Sequence, residues 1–158
     1  MIRFSSHYMI AALLLCGSVH FAQAQKTMEE YEVFPTLLEP DIPYRIPAIA
    51  TASNGDLIAV ADYRYCRMDI GFAGTGDGRI DLRASISKDN GHTWEAPFTI
   101  VKGKGRGFDV FHTGFGDPCV VADRNSSRVF LLSCAGNVSF PGGTREEHQG
   151  IAIMHSED

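Results

Sequence analysis

The sequence predicts an all-β chain built from repeated blade-like units, and three observations carry that prediction. Gly (16) and Pro (7) punctuate many short apolar runs, and no long stripe of 3.6-residue period appears after residue 25. Ile80, Leu82, Ala84 and Ile86 alternate with Arg79, Asp81, Arg83 and Ser85, a period-two pattern that predicts a half-buried strand. A pattern of strand, hairpin, strand and Asp-turn recurs at an interval of about seventy residues. Ile46-Pro47-Ala48-Ile49-Ala50 has its counterpart in Asp117-Pro118-Cys119-Val120-Val121-Ala122. Leu57-Ile58-Ala59-Val60 matches Val129-Phe130-Leu131-Leu132, and Ser87-Lys88-Asp89 matches Ser156-Glu157-Asp158. Recurrence at one interval marks radial or solenoid repetition, and four strands per unit point to propeller blades.

In chain order, residues 1–24 come first. Arg3 precedes the apolar run Met9 to Cys16, and Ala22-Gln23-Ala24 follows, the charged, apolar and A-x-A segments of a secretory signal. The apolar run is too short for a secure bilayer span, so cleavage after Ala24 and a secreted or periplasmic location are expected, without stable membrane insertion. Leu15 is too bulky for the position before a lipidated Cys16. Residues 25–43 form an acidic, Pro-containing lead-in with room for one strand around Tyr31 to Phe34, and residues 44–158 carry the blade pattern. The net charge of -5 excludes a broad nucleic-acid footprint. Walker, Rossmann and H-E-x-x-H signatures are missing. Cys66, Cys119 and Cys134 show no C-x-x-C spacing, which argues against zinc and thioredoxin chemistry.

Two apolar runs flank Asn54-Gly55, a strong hairpin signal. A two-residue turn there pairs Ser53 with Asp56 and brings Arg45 opposite Arg64. Opposed like charges cost stability, so such a pair implies an anion between them; a bulge that breaks the register and leaves both in solvent is the alternative. Ser87 to Trp94 then reads S-x-D-x-G-x-T-W. Asp89 is placed to accept amide hydrogen bonds, Gly91 to take a positive φ, and Thr93 and Trp94 to restart an extended segment. Lys102 to Gly107 is a basic, Gly-alternating loop that no helix follows, so it reads as solvated. In the second unit a turn at Ser126 and Ser127 sets Cys119 opposite Cys134, where a cross-strand disulfide is conceivable but awkward.

Strands of a blade run up and down, so the start of the first and the end of the second share a rim. Arg45, Arg64 with the loop Tyr65 to Gly71, and Asp117 therefore face one mouth, with Asp69 beside the arginines. Asp77 and Asp81 compete for the role of Asp69, and Asp117 has a second reading as the residue that orients the turn before Pro118. Tyr63, Tyr65 and Phe72 either frame the pocket or pack.

The octet at Ser87, Asp89, Gly91, Thr93 and Trp94 resembles the Asp-box (BNR repeat) of bacterial exo-sialidases, or neuraminidases, and related propeller proteins. Tyr44-Arg45-Ile46-Pro47 is similar to the family's Y/F-R-I-P motif, Arg64 with Asp69 to the spacing that brings in its general acid/base on a mobile loop, and Gly116-Asp117-Pro118 to its D-P segment. The resemblance implies a partial six-bladed β-propeller of about two blades and hydrolysis of terminal α-linked sialic acids with retention. It implies Asp69 as catalytic acid/base and Arg45, Arg64 and Asp117 as substrate-binding residues. It also implies glycoprotein, glycolipid or oligosaccharide substrates and no cofactor or metal. A non-catalytic carbohydrate-binding propeller is the alternative. The family's Tyr nucleophile, its Glu partner and two further arginines have no counterpart in these residues.

Overall fold

The computed structural model describes residues 29–35, 42–65, 68–71, 78–105 and 112–156. The leader, Phe72, Asp77 and the Glu157-Asp158 end of the second Asp-turn lie outside the described residues. Two antiparallel meanders make up the fold. The first sheet runs β1 (Tyr44–Thr51), β2 (Leu57–Arg64), β3 (Ile80–Ser87), β4 (Phe98–Val101); the second runs β5 (Phe115–Ala122), β6 (Val129–Ala135), β7 (Gly150–His155). Tyr31 to Phe34 forms a bend and not the expected strand.

The sheets pack face to face. Val60, Leu82 and Ala84 of the first meet Phe115, Leu131 and Ala135 of the second, with Ile58, Val101, Val120 and Met154 at the margin. β3 is covered on both faces, where alternation predicts a half-buried strand. Its apolar side faces the second sheet, and its polar side is enclosed by its own partners. Asp81 accepts from Arg79 and from the Gly103 amide, the Arg83 guanidinium lies 3.8 Å over the Tyr63 ring, and the Ser85 hydroxyl donates to the Glu95 carbonyl.

The first hairpin corrects the expected register. The Gly55 amide donates to the Ala52 carbonyl at 3.0 Å and the Ala52 amide to the Asp56 carbonyl, so the loop is Ser53-Asn54-Gly55, with positive φ at Gly55 alone. Asn54 is held by accepting from the Asp56 amide, which favours this three-residue turn over the tighter one. The extra loop residue slides the pairing by one, and a bulge between Arg45 and Ala48 slides it by another, so Arg45 stands opposite Asp62 and not Arg64. Two one-residue slips restore the original face, since side chains alternate with period two. Arg45, Asp62 and Arg64 therefore share one side of the sheet.

The bulge recurs in the second sheet, between Gly116 and Cys119. In both copies the residue before the proline takes a positive φ, 51° at Ile46 and 53° at Asp117. That conformation costs a β-branched residue about 1–2 kcal/mol, which the packed sheets must offset. The second hairpin closes with a four-residue loop, because the Asp123 amide pairs with the Arg128 carbonyl and the Asp123 carboxylate collects the Asn125 amide and Ser126 hydroxyl. Cys119 then faces Leu132 and Cys134 faces Gly116; both are free thiols, so the conceivable disulfide is not formed.

The S-x-D-x-G-x-T-W turn is a closed hydrogen-bond knot. One Asp89 oxygen accepts from the Thr93 amide and the Ser87 hydroxyl, and the other accepts from the Thr93 hydroxyl at 2.6 Å. The Ser87 hydroxyl accepts from the Gly91 amide, Gly91 takes φ 94°, and the Trp94 indole donates to the Gly91 carbonyl. Thr93 is spent on Asp89, so the strand resumes only at Phe98.

Candidate functional site

At the bulged end of β1 and β5, the Arg64 guanidinium is the centre of a charged cluster. Its side chain is 1% exposed. Nε and Nη2 donate to one oxygen of Asp62, at 2.9 and 2.6 Å. Asp62 is fully buried, and its other oxygen accepts from the Asp117 amide at 3.0 Å. An Asp and an Arg two apart on a strand share a face, so the D-Y-R run of β2 sets Asp62 beside Arg64; Asp62 is absent from the expected site residues.

The two expected carboxylates stand at the outer side of the same guanidinium. Asp69 lies 3.3 Å from Nη1 and Asp117 lies 3.7 Å from Nη2, with the side chains 52% and 48% exposed. These are longer contacts than those to Asp62, so the two reach solvent while Arg64 does not. Arg45 is exposed, and its side chain makes no hydrogen bond or ion pair among the described residues. The structure thus brings Asp69, Arg64 and Asp117 together and leaves Arg45 exposed on the sheet face that carries Asp62 and Arg64.

The Asp69 segment is seated on the second sheet. Asp69 accepts from the Ile70 amide, Ile70 is 2% exposed and packs with Ile80 and Cys134, and the Gly71 backbone lies so close to Val138 and Ser139 that a Cβ there would sit 2.1 Å from the Ser139 nitrogen. Ile70 and Gly71 are thus the packed part of this segment, while Met68 and Asp69 are exposed. Asp81 does not compete for the role of Asp69, because it stands opposite Tyr63 on the other face, bound to Arg79.

Electrostatics follow from burial. The Asp62 carboxyl is pushed up to about 6, chiefly by burial, against the pull of the Arg64 donors. Burial likewise raises the Cys134 thiol, reinforced by Asp117, Asp69 and Asp62, which keeps it protonated behind the site. On the opposite face Arg79 lies over Tyr65 and Arg83 over Tyr63, and Phe34 stacks on Tyr44, so Tyr63 and Tyr65 pack there. A cavity of about 650 Å3 opens between the sheets at the far end of β2, lined by Ile58, Ile86, Phe98, Leu131 and Met154. Its lining is mostly apolar, with Asp56 and His155 as its titratable groups, and it includes no member of the Arg64 cluster.

No protein-family model and no curated protein match the chain. Solved structures do. A leech intramolecular trans-sialidase, in complex with 2,7-anhydro-Neu5Ac, is similar over 75% of this chain and 19% of its own length, at TM-score 0.56 and 21% identity. A Hadza microbial sialidase is similar over 73% of this chain and 24% of its own, at TM-score 0.56 and 25% identity. The chain has a sialidase-like, partial β-propeller fold, and it spans a quarter or less of these two structures.

Proposed function

We propose that this chain carries about the first two blades of an exported exo-α-sialidase, a retaining glycoside hydrolase acting on terminal α-linked sialic acids of glycoproteins, glycolipids or oligosaccharides. The observation that carries this reading is the pair of half-exposed carboxylates, Asp69 and Asp117, held 3.3 and 3.7 Å from one buried guanidinium, with Arg45 uncommitted on the same sheet face.

Sialic acid bears a carboxylate on its anomeric carbon. The planar fork of Arg45 suits that group, and a lysine would lose the bidentate match. Asp69 gives its proton to the leaving oxygen and takes one back from the attacking water. Asp117, from the neighbouring blade, lines the pocket wall with its carboxylate. Arg64 acts from beneath as the anchor of both. Sialidases use a Tyr nucleophile, since an anionic one would be repelled by the substrate's own carboxylate; that residue would come from elsewhere in the full ring. The Asp-box reading of the Ser87 to Trp94 turn and the secretory leader belong to the same proposal, and N-terminal sequencing of exported protein should start at Gln25.

The test is hydrolysis of a fluorogenic sialoside by the product of the complete reading frame. Asp69→Asn should cut kcat by about 10²–10⁴, and Arg45→Lys should weaken substrate capture. Sialoside binding without turnover, indifferent to Asp69→Asn, would replace the enzyme with a carbohydrate-binding propeller. Indifference to Arg45→Lys in both assays would remove the sugar altogether.

A further inference from the structure

Asp62 is the one charged group of the cluster to which the proposed chemistry gives no part. We propose that Asp62 is the positioning residue of the site, a buried carboxylate that clamps Arg64 with one oxygen and the Asp117 backbone with the other, and so fixes the gap between Asp69 and Asp117. What enters that gap rests on the sialidase reading; the clamp itself rests on the two sheets.

The distances separate the roles. Arg64 meets Asp62 at 2.6 and 2.9 Å but reaches Asp69 and Asp117 only at 3.3 and 3.7 Å. One guanidinium faces three carboxylates, and the fully buried one takes its two shortest bonds. Drawn inward in this way, Arg64 holds the two exposed carboxylates apart without closing on either. A carboxylate locked onto a guanidinium by short paired bonds makes a poor proton donor. Asp62 also ties the blades together at this point, since its Oδ1 accepts from the Asp117 amide at the positive-φ bulge of β5. A Cβ at Gly116 would be in ordinary contact with Asp62 Oδ2, at 3.4 Å, and tight only against Ile70 Cδ1, at 3.2 Å.

In the complete protein, Asp62→Asn removes the charge while keeping the shape. Arg64 then closes on Asp69 or Asp117, and kcat falls about 10–100-fold while KM, set by the untouched Arg45, moves far less. A merely structural role would reduce the amount of folded enzyme and leave kcat per folded molecule unchanged. The second readout needs no activity: the Arg64 Nε–H resonance, protected in the wild type by burial, should shift and exchange faster in Asp62→Asn. Asp62→Glu, which keeps the charge but lengthens the side chain between Arg64 and the Asp117 amide, should move the same resonance and stands in if Asp62→Asn fails to fold. Wild-type kcat with an unshifted Nε–H overturns the proposal. A wild-type protein without sialidase activity whose Nε–H nevertheless shifts in Asp62→Asn supports the clamp and refutes the function assigned to it.

Discussion

Arg64 and Asp62 are both almost wholly removed from water, and each is tolerable only because the other is there. Removing one member of such a pair typically costs about 3–5 kcal/mol, because the survivor is left as a buried, uncompensated charge. Asp62 has an escape that Arg64 lacks, since it can take up a proton. Its carboxyl sits at about 6 in the folded chain, above the roughly 3.9 of an unfolded aspartate. Protonation therefore favours the folded state. That contribution is complete below about pH 4 and is lost as the pH rises through about 6. Arg64→Met should accordingly be destabilised most at neutral pH, with much of the loss recovered near pH 4. Urea unfolding midpoints at pH 4.5 and 7.5 check this; equal losses at both would show that Asp62 is not the group left stranded.

The knot at Ser87 to Trp94 carries the opposite pH dependence. Hydrogen bonds from Thr93, first its hydroxyl and then its amide, and from Ser87 bring the Asp89 carboxyl down to about 2. A depressed folded value means stabilisation present above about pH 4 and lost as pH falls towards 2. Asp89→Ala should flatten the acid limb of a pH–stability curve between pH 4 and 2 while leaving the Asp62-dependent slope near pH 6 in place. An unchanged acid limb would remove Asp89 from the turn's energetics. This element was legible in the sequence because its hydrogen bonds are local, each partner lying within four residues. The β1–β2 hairpin was legible in kind but not in register, because Asn54-Gly55 fits both two- and three-residue loops, and a single loop residue decides which side chains meet. The bulges were hidden for a different reason: positive φ before proline, at Ile46 and Asp117, runs against local preference and is imposed by packing between sheets. The grouping of Arg64 with Asp69 and Asp117 at one rim was legible in the sequence. Asp62 was not, since its partners are an arginine on its own strand and an amide 55 residues away.

For the molecule as a whole, the alternation that builds the core also determines what remains outside it. One face of the second sheet gives Leu131 and Ala135 to the core; the other presents Val121 at 48%, Ile151 at 61% and Ile153 at 66% exposure, with Cys119 beside them. The other face of the first sheet is chemically unlike it, an aromatic and cationic layer in which Tyr63 Oη and Arg83 Nε are buried without a hydrogen-bond partner among the described residues. Covering an isoleucine fully is worth about 1.5–3 kcal/mol, so a contiguous strip of this kind favours association in water. Residues 29–156 produced on their own should therefore self-associate through β7 and β5. Ile151 and Ile153 lie two apart on that face, so lysines at both positions place like charges side by side wherever two such faces meet. Ile151→Lys with Ile153→Lys should shift the sedimentation profile towards monomer, more so at low salt, where the added charges are least screened. Equal association of the double variant at all salt concentrations would locate the sticky surface elsewhere, on the exposed apolar residues of the first sheet, Ile49, Phe98 and Ile100.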